Sequence, residues 1–392
     1  MTPRVACCSL VAVALAAVPL VTAAQPAPVD PYGGATYGVP SDGGAAYGGA
    51  TYGGATYGGA GHSAPAVLVD DSTIGVVRLD LGGRRTVMAA PGDGRIRAHS
   101  YQALVVDEGS GRWFVTRQAK RGAVRPWTVI FGDRTGMVAE VAGDPACGAR
   151  KPACFELPLA FTPDGAAVLT VSARSAGATL ARYVFGRAGR QLLAGKAIAT
   201  RLALARDHAR AAYARRGGLT LIDWTARGPR PRDPGQAVAI GGDLDQLVML
   251  DEAVLFRREV GRDRRRTTTL EVLDLATGDR EVVYRPRHTL TWAPLPAPAR
   301  GSAFVHDCDR ARGDRGCDVV EVTVAGARTM ARGVVRAHDV SADGRYLLAS
   351  RYPRGADVRA TAWPDLVVVE LATGRDVVVH REVSVDSAQF TR

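Results

Sequence analysis

Lysine is nearly absent. Three lysines (Lys120, Lys151, Lys196) stand in a chain whose Lys and Arg total 50, so arginine carries almost all the positive charge. Against 39 Asp and Glu this leaves a net charge of +11 and a pI near 9.7. Such an excess is compatible with anion or nucleic-acid binding; a genome that favours arginine codons is the bland alternative. The basic residues are scattered through the chain, which supports the bland reading and makes nucleic acid an unexpected partner. The densest run, Arg262-Asp-Arg-Arg-Arg266, lies between two apolar runs and reads as a solvated loop. Beyond the N-terminus no apolar stretch approaches the ~20 residues needed to cross a bilayer. No segment from Ala66 onward sustains a 3.6-residue period, which excludes a helical fold. Reaction fingerprints are missing as well: there is no Gly-x-Ser-x-Gly, no His-Glu-x-x-His, no phosphate loop and no dinucleotide fingerprint. No appended α/β hydrolase segment is expected, and no cofactor or metal is implied.

The N-terminus has the form of a secretory signal over residues 1–24. Arg4 supplies a short positive region, Leu10–Val21 an apolar one, and Val21-Thr-Ala-Ala24 a small-residue cleavage site. Cys7 and Cys8 precede the apolar run, where a lipid-bearing cysteine would follow it, so no lipid anchor is expected; an uncleaved anchor is the alternative. Residues 25–65 are low in complexity, with Tyr32, Tyr37, Tyr47, Tyr52 and Tyr57 set in Gly-Gly-Ala-Thr. No apolar period could bury a face there, so the stretch reads as a disordered tether. It acts as a spacer, or as a sticky segment touching an envelope polymer.

Cleavage would leave four cysteines in two close pairs, Cys147 with Cys154 and Cys308 with Cys317. Four cysteines allow three connectivities. Proximity favours two local disulfides, and neither pair has zinc-site spacing; free thiols or a metal are the alternative. Asp144, Asp307, Asp309 and Asp314 lie near these pairs, but their order is not that of a calcium loop, and they read as polar surface residues.

From Ala66 to Arg392 short apolar runs alternate with Gly, Asp and Pro turns, the pattern of an all-β domain. Two turn classes recur. One, marked by Gly109, Asp164, Asp207, Asp251, Arg300 and Asp343, repeats about every 45 residues. The other runs through Gly82-Gly83, Asp133-Arg-Thr-Gly136, Gly186-Arg-Ala-Gly189, the loop 226–234, Ala276-Thr-Gly278, Ala325-Gly326 and Ala372-Thr-Gly374. Two hairpins per repeat give four strands per unit, which predicts a β-propeller. Six turns of the first class and seven of the second resolve if Val383-Ser-Val-Asp386 opens an innermost strand with no partners of its own. Residues 66–90 then supply the three missing outer strands. Pairing the two ends closes a ring of seven four-stranded blades and removes the exposed sheet edges. Six blades is the alternative.

Thr162-Pro-Asp-Gly-Ala-Ala-Val-Leu-Thr170 and Ser341-Ala-Asp-Gly-Arg-Tyr-Leu-Leu-Ala349 resemble the Ser/Thr-Pro-Asp-Gly motif of TolB-like, WD-repeat-like propeller repeats. The paired Leu-Ala-Thr-Gly at 275–278 and 371–374 fits the later part of that repeat. Ser341 departs from the motif, being followed by Ala342. The resemblance covers two repeats well and the others loosely. It implies a fold shared with periplasmic and surface proteins that mostly bind other proteins, and with the propeller domains of peptidases. It does not name a ligand.

One constellation invites a site. Innermost strands line the central channel, and their entry positions carry Arg97-Ala-His99, Arg201, Arg287-His288 and Arg336-Ala-His338. Converging on one mouth, they would form an anion pocket with arginine forks and histidine pH sensitivity, or a His-bound metal. The bland alternative is side chains bonded to neighbouring blades or facing solvent. Trp113, Trp127, Trp224, Trp292 and Trp363 fall near strand ends, where they pack between blades or anchor an interface. The expectation is an exported, monomeric, non-catalytic propeller binding a protein or an envelope component. A propeller lyase or lactonase with its site at the channel mouth, and a polyanion binder, are the alternatives.

Overall fold

The computed structural model describes residues 66–391 apart from internal stretches (72–74, 82–83, 91–103, 119–126, 146–154, 163–164, 175–176, 199–201, 206–209, 216–217, 226–227, 232–236, 242, 262–266, 310–315, 354–362 and 382–384). The proposed signal, the tether, the Arg262–Arg266 run and the Cys147/Cys154 pair lie outside the described residues.

Every blade is an antiparallel ladder of consecutive strands, innermost first. Blade 2 is β4 (Leu104–Asp107), β5 (Arg112–Gln118), β6 (Trp127–Asp133) and β7 (Gly136–Ala142); blade 3 is β8 (Phe155–Phe161), β9 (Ala167–Arg174), β10 (Gly177–Val184) and β11 (Gln191–Ile198). Blade 4 holds β12 (Leu202–Leu204), β13 (Arg210–Arg215), β14 (Gly218–Thr225), β15 (Gly228–Pro231) and β16 (Ala237–Ala239). Blade 5 is β17 (Asp243–Met249), β18 (Ala253–Val260), β19 (Thr267–Asp274) and β20 (Arg280–Tyr284). Blade 6 is β21 (Thr289–Ala297), β22 (Ser302–Cys308), β23 (Cys317–Thr323) and β24 (Gly326–Val334). Blade 7 is β25 (Arg336–Val340), β26 (Tyr346–Arg351), β27 (Asp365–Glu370) and β28 (Asp376–His380). Blade 1 is the composite: β1 (Ala66–Asp71), β2 (Gly75–Leu79) and β3 (Arg85–Ala89) take β29 (Val385–Thr391) as their innermost strand. Val67 faces Phe390 and Val69 faces Ala388 in that closing ladder. The seven-blade, end-paired ring expected from the turn count is therefore the observed fold.

One blade departs from the four-strand plan. The outer edge of blade 4 is split, with β15 and β16 both pairing with β14. Pro229, Pro231 and Pro234 remove the N–H donors that a continuous outer strand would need.

The core sits between blades, which is why strands such as Tyr346–Ala349 are apolar at every position. Successive side chains point to opposite faces of a sheet. Leu347 and Ala349 join Phe304 and Val319 of blade 6. Tyr346 and Leu348 join Val67, Val69 and Phe390 of blade 1. A strand covered on both faces reads as a continuous apolar run rather than an alternating one.

The recurring inner turn has a clear construction. In blade 7 the Gly344 N–H donates to the Ser341 carbonyl at 2.7 Å, and Gly344 takes a left-handed φ of 70°. The Tyr346 N–H donates to Ser341 Oγ at 2.9 Å, and Asp343 Oδ1 accepts from the Arg345 N–H at 3.0 Å. In blade 3 Thr162 and Gly165 repeat the pattern. Hydroxyl, carboxylate and glycine each satisfy one demand of a tight turn.

Arginines bracket these turns. Arg112 Nη1 donates to the Gly165 carbonyl at 2.8 Å, Arg210 Nη2 to the Asp251 carbonyl at 2.7 Å, and Arg300 Nη1 to the Gly344 carbonyl at 3.1 Å. Each bond runs from the inner hairpin of one blade to that of the next.

Candidate functional site

The inner strands enter from the face opposite these brackets, and there blade 6 meets blade 7. Cys308 and Cys317 stand opposite each other on β22 and β23 and are joined by a disulfide, as their proximity predicted. Beside them Asp307 is buried at 3% exposure. It accepts from the Tyr284 hydroxyl at 2.6 Å and from the backbone N–H groups of Arg287 and His288, both at 2.8 Å. Burial, then the bond to Asp307, push the Tyr284 hydroxyl well above the ordinary tyrosine range. Asp307 is thus not the surface residue the sequence suggested; it fixes the loop that leads into β21. Asp144 is buried too and accepts from Arg190 at 3.1 Å.

The predicted mouth residues are only partly assembled. Arg97, His99 and Arg201 lie outside the described residues. Arg287 and His288 are exposed on the pinned loop, and Arg336 is half-buried at the start of β25. His338 turns inward: it is 4% exposed, and its Nε2 lies 2.7 Å from Ser350 Oγ. The reason is a register shift between Ala337 and Asp339 in the β25–β26 ladder. A bulge breaks the alternation that would have put Arg336 and His338 on one face.

A residue the sequence reading missed completes the cluster. His306, on β22, is fully buried, and its Nε2 accepts the Ala337 N–H at 2.7 Å. Burial first, then the positive charge of Arg336, hold its imidazole down to about 3. Burial, Arg336 and then His306 push His338 well below its ordinary value. Both rings are neutral near neutral pH, so the expected histidine switch between pH 5 and 8 is not built by this pair. A single polar residue inside Ser-Ala-Phe-Val-His-Asp-Cys was the signal that could have found His306. Among the described residues no group of three or more His, Cys, Asp or Glu could hold a metal, and no helix is long and apolar enough to cross a membrane.

On the opposite face an open cleft of about 540 Å³ is lined by Arg300, Glu321, Thr323, Gly326 and Arg328. Burial resists ionisation of Glu321, but bonds from Arg300, Arg328 and Ser302 outweigh it and hold the carboxyl down to about 2. The cleft's charges neutralise each other.

The outer rim of blades 1 to 3 differs. Val87, Met137, Val138, Val184 and Leu192 are 42–55% exposed, all on or beside outer strands. β3 lies against β7, and a Cβ placed on Gly186 would come within 3.5 Å of Val138 Cγ1, so the three rims adjoin. Arg84, Arg85, Arg134 and Arg187 are exposed among them. The other exposed large apolar residues, including Val260, Val324 and Trp363, are dispersed over blades 5 to 7. Trp113 and Trp127 are buried, as inter-blade packing required.

These ladders define a seven-bladed β-propeller. Solved structures with a similar fold include a puromycin-hydrolysing peptidase of Mycobacterium tuberculosis (15% identity, TM-score 0.52, 79% of this chain and 50% of that one). They also include a prolyl endopeptidase (12%, 0.52, 82% and 50%) and TolB from Acinetobacter baumannii (12%, 0.43, 72% and 67%). The chain thus spans about half the length of each peptidase. At these identities the likeness is one of fold. No protein-family model matches the chain, and no curated protein sequence does.

Proposed function

We propose that this chain is an exported, non-catalytic propeller that binds an acidic protein of the cell envelope along the outer rim of blades 1 to 3. The observation that carries this reading is the adjoining set of exposed apolar side chains interleaved with arginine. Scattered apolar residues are normal on any surface, but contiguous ones mark contact sites. The arginines select an acidic partner by charge complementarity. Export is supported by the signal-like residues 1–24 and by the disulfide, a bond that persists in oxidising compartments. A non-catalytic role is supported by His306 and His338, whose Nε2 atoms are engaged within the blades. Residues 25–65 then act as a spacer ahead of the ring.

The test is affinity capture from a solubilised envelope fraction, with the bound protein identified by mass spectrometry. The full chain is compared with a Met137→Glu/Leu192→Glu variant of matched thermal stability. One acidic protein enriched by the parent and lost by the variant supports the rim. Equal recovery by both removes it. Turnover of a lactone or polysaccharide panel would favour the lyase or lactonase reading instead.

A further inference from the structure

The closing strand is held from both sides by side chains that reach its backbone or leave from it. Gln389 Oε1 on β29 accepts the Val106 N–H of β4 at 2.6 Å. The Phe390 N–H of β29 donates to Asp339 Oδ2 of β25 at 2.9 Å, and Asp339 Oδ1 accepts the Val340 N–H at 2.8 Å. Glu108, in the turn after β4, accepts the Ala342 N–H from the turn after β25 at 2.7 Å. Blades 2 and 7 are therefore joined directly across the composite blade. In most blades the innermost strand is covalently continuous with its neighbours in the sheet. β29 has no such link to β1, and these bonds stand where a hairpin would.

We propose that Asp339 is a proton-controlled clasp on the ring: protonated, it seats β29 between its neighbours, and ionised, it loosens the closing strand. The geometry places a carboxyl in the interior with two backbone donors. Among the described residues, the charged group set against it from outside its strand is another carboxylate, Glu108. On its own strand Arg336 lies at the opposite end, and His338 is neutral against Ser350. β21 carries no ionisable residue along its length. β26 contributes Arg351 at its far end, paired with Asp376, and Tyr346, whose N–H is bound by Ser341. On β29 Asp386 is four residues from Phe390, about 13 Å along a strand. Burial, with Glu108 adding repulsion and the two N–H bonds opposing both, raises the Asp339 carboxyl to about 7. In the opened strand water restores its ordinary value, near 3.8.

The sign follows from linkage. Between those values the closed state holds a proton that the open state has released, so closure is tightest below about pH 4 and weakens as pH rises toward 7. At most the opening constant grows tenfold per pH unit in that window, and it levels off above 7.

The experiment is hydrogen exchange of the full chain from pH 5 to 8, read on peptides covering 385–391 and corrected for the intrinsic rate. The parent is expected to show opening that rises at least tenfold between pH 5 and 7 and then flattens. Asp339→Asn, which keeps an acceptor for Phe390 but cannot ionise, is expected to give a flat profile. Peptides from β27 serve as the reference and should not move. Glu108→Gln keeps an acceptor for Ala342 while removing the repulsion, and should shift the plateau of the parent curve to lower pH. Parent and Asp339→Asn profiles of equal slope, or a parent without a slope, would overturn the clasp. If Asp339→Asn does not fold, the Glu108→Gln profile decides, and an unmoved plateau overturns it.

Discussion

Blades 1 and 2 are fastened by an ion pair removed from water on both sides. Arg117 Nη2 on β5 lies 3.1 Å from Asp70 Oδ1 on β1, with the two side chains 1% and 0% exposed. Arg117 Nη1 also donates to the Ala90 carbonyl at 3.0 Å. Removing one partner of such a pair strands the other charge in a medium that solvates it poorly, which costs roughly 3–5 kcal/mol. Arg117→Met is therefore expected to lower Tm by about 6–10 °C, taking about 2 °C per kcal/mol for a domain of this size. Asp70→Val should cost a similar amount. Together the two substitutions replace the pair by packed apolar groups, a change that is often neutral or stabilising. The double variant should then be more stable than either single one. Chemical unfolding followed by tryptophan emission suits the measurement, since Trp113 and Trp127 are buried in blade 2 itself. Single-variant losses that simply add, with a coupling below about 0.5 kcal/mol, would refute the claim that this pair fastens the blades as a unit.

Two further outcomes are expected. A Cβ on Gly132 would lie 2.0 Å from Trp113 Cζ2, and the indole is held by its bond to the Asp133 carbonyl at 3.0 Å. Gly132→Ala should therefore cost about 1–3 kcal/mol of overpacking strain and red-shift the emission spectrum, both read in one melt. His306 is buried neutral and the unfolded chain protonates first, so its contribution is complete above about pH 6.5 and is lost as pH falls toward 3. His306→Gln should flatten that acid-side loss in urea midpoints measured between pH 6.5 and 4, while midpoints at pH 7.5 change by packing alone.

The ring was legible because its turns demand particular residues. Gly344 and Gly165 adopt left-handed backbone, and Ser341 or Thr162 supplies the hydroxyl beside them, so spacing alone exposed the repeat and its unfinished last strand. The direction of a side chain was not legible. Arg336 and His338 are two residues apart, and regular alternation would show both at the mouth; the register shift at that point turns the histidine into the blade. A bulge depends on how two strands meet, and neither strand announces it alone. His306 was hidden for a related reason: its use is to accept the Ala337 N–H from the next blade, a contact set by ring geometry at a separation of 31 residues.

Arginine is where composition and structure part most clearly. Scatter along the chain favoured a codon bias without purpose, yet the same scatter is what a ring of blades needs. Arg300 reaches Glu321 through Nε and Nη2 and the Gly344 carbonyl through Nη1. Arg190 spans Asp144, Ser172 and Thr179. Arg117 joins Asp70 to the Ala90 carbonyl. A planar fork can meet several acceptors in fixed directions, which a single ammonium cannot do with the same pre-organisation. Each blade presents its neighbour with orphan carbonyls at the inner turn and with buried carboxylates between sheets. Basic residues that recur with the repeat are thus drawn into the seams, and those left exposed around Val87, Met137 and Leu192 are the ones available to a partner.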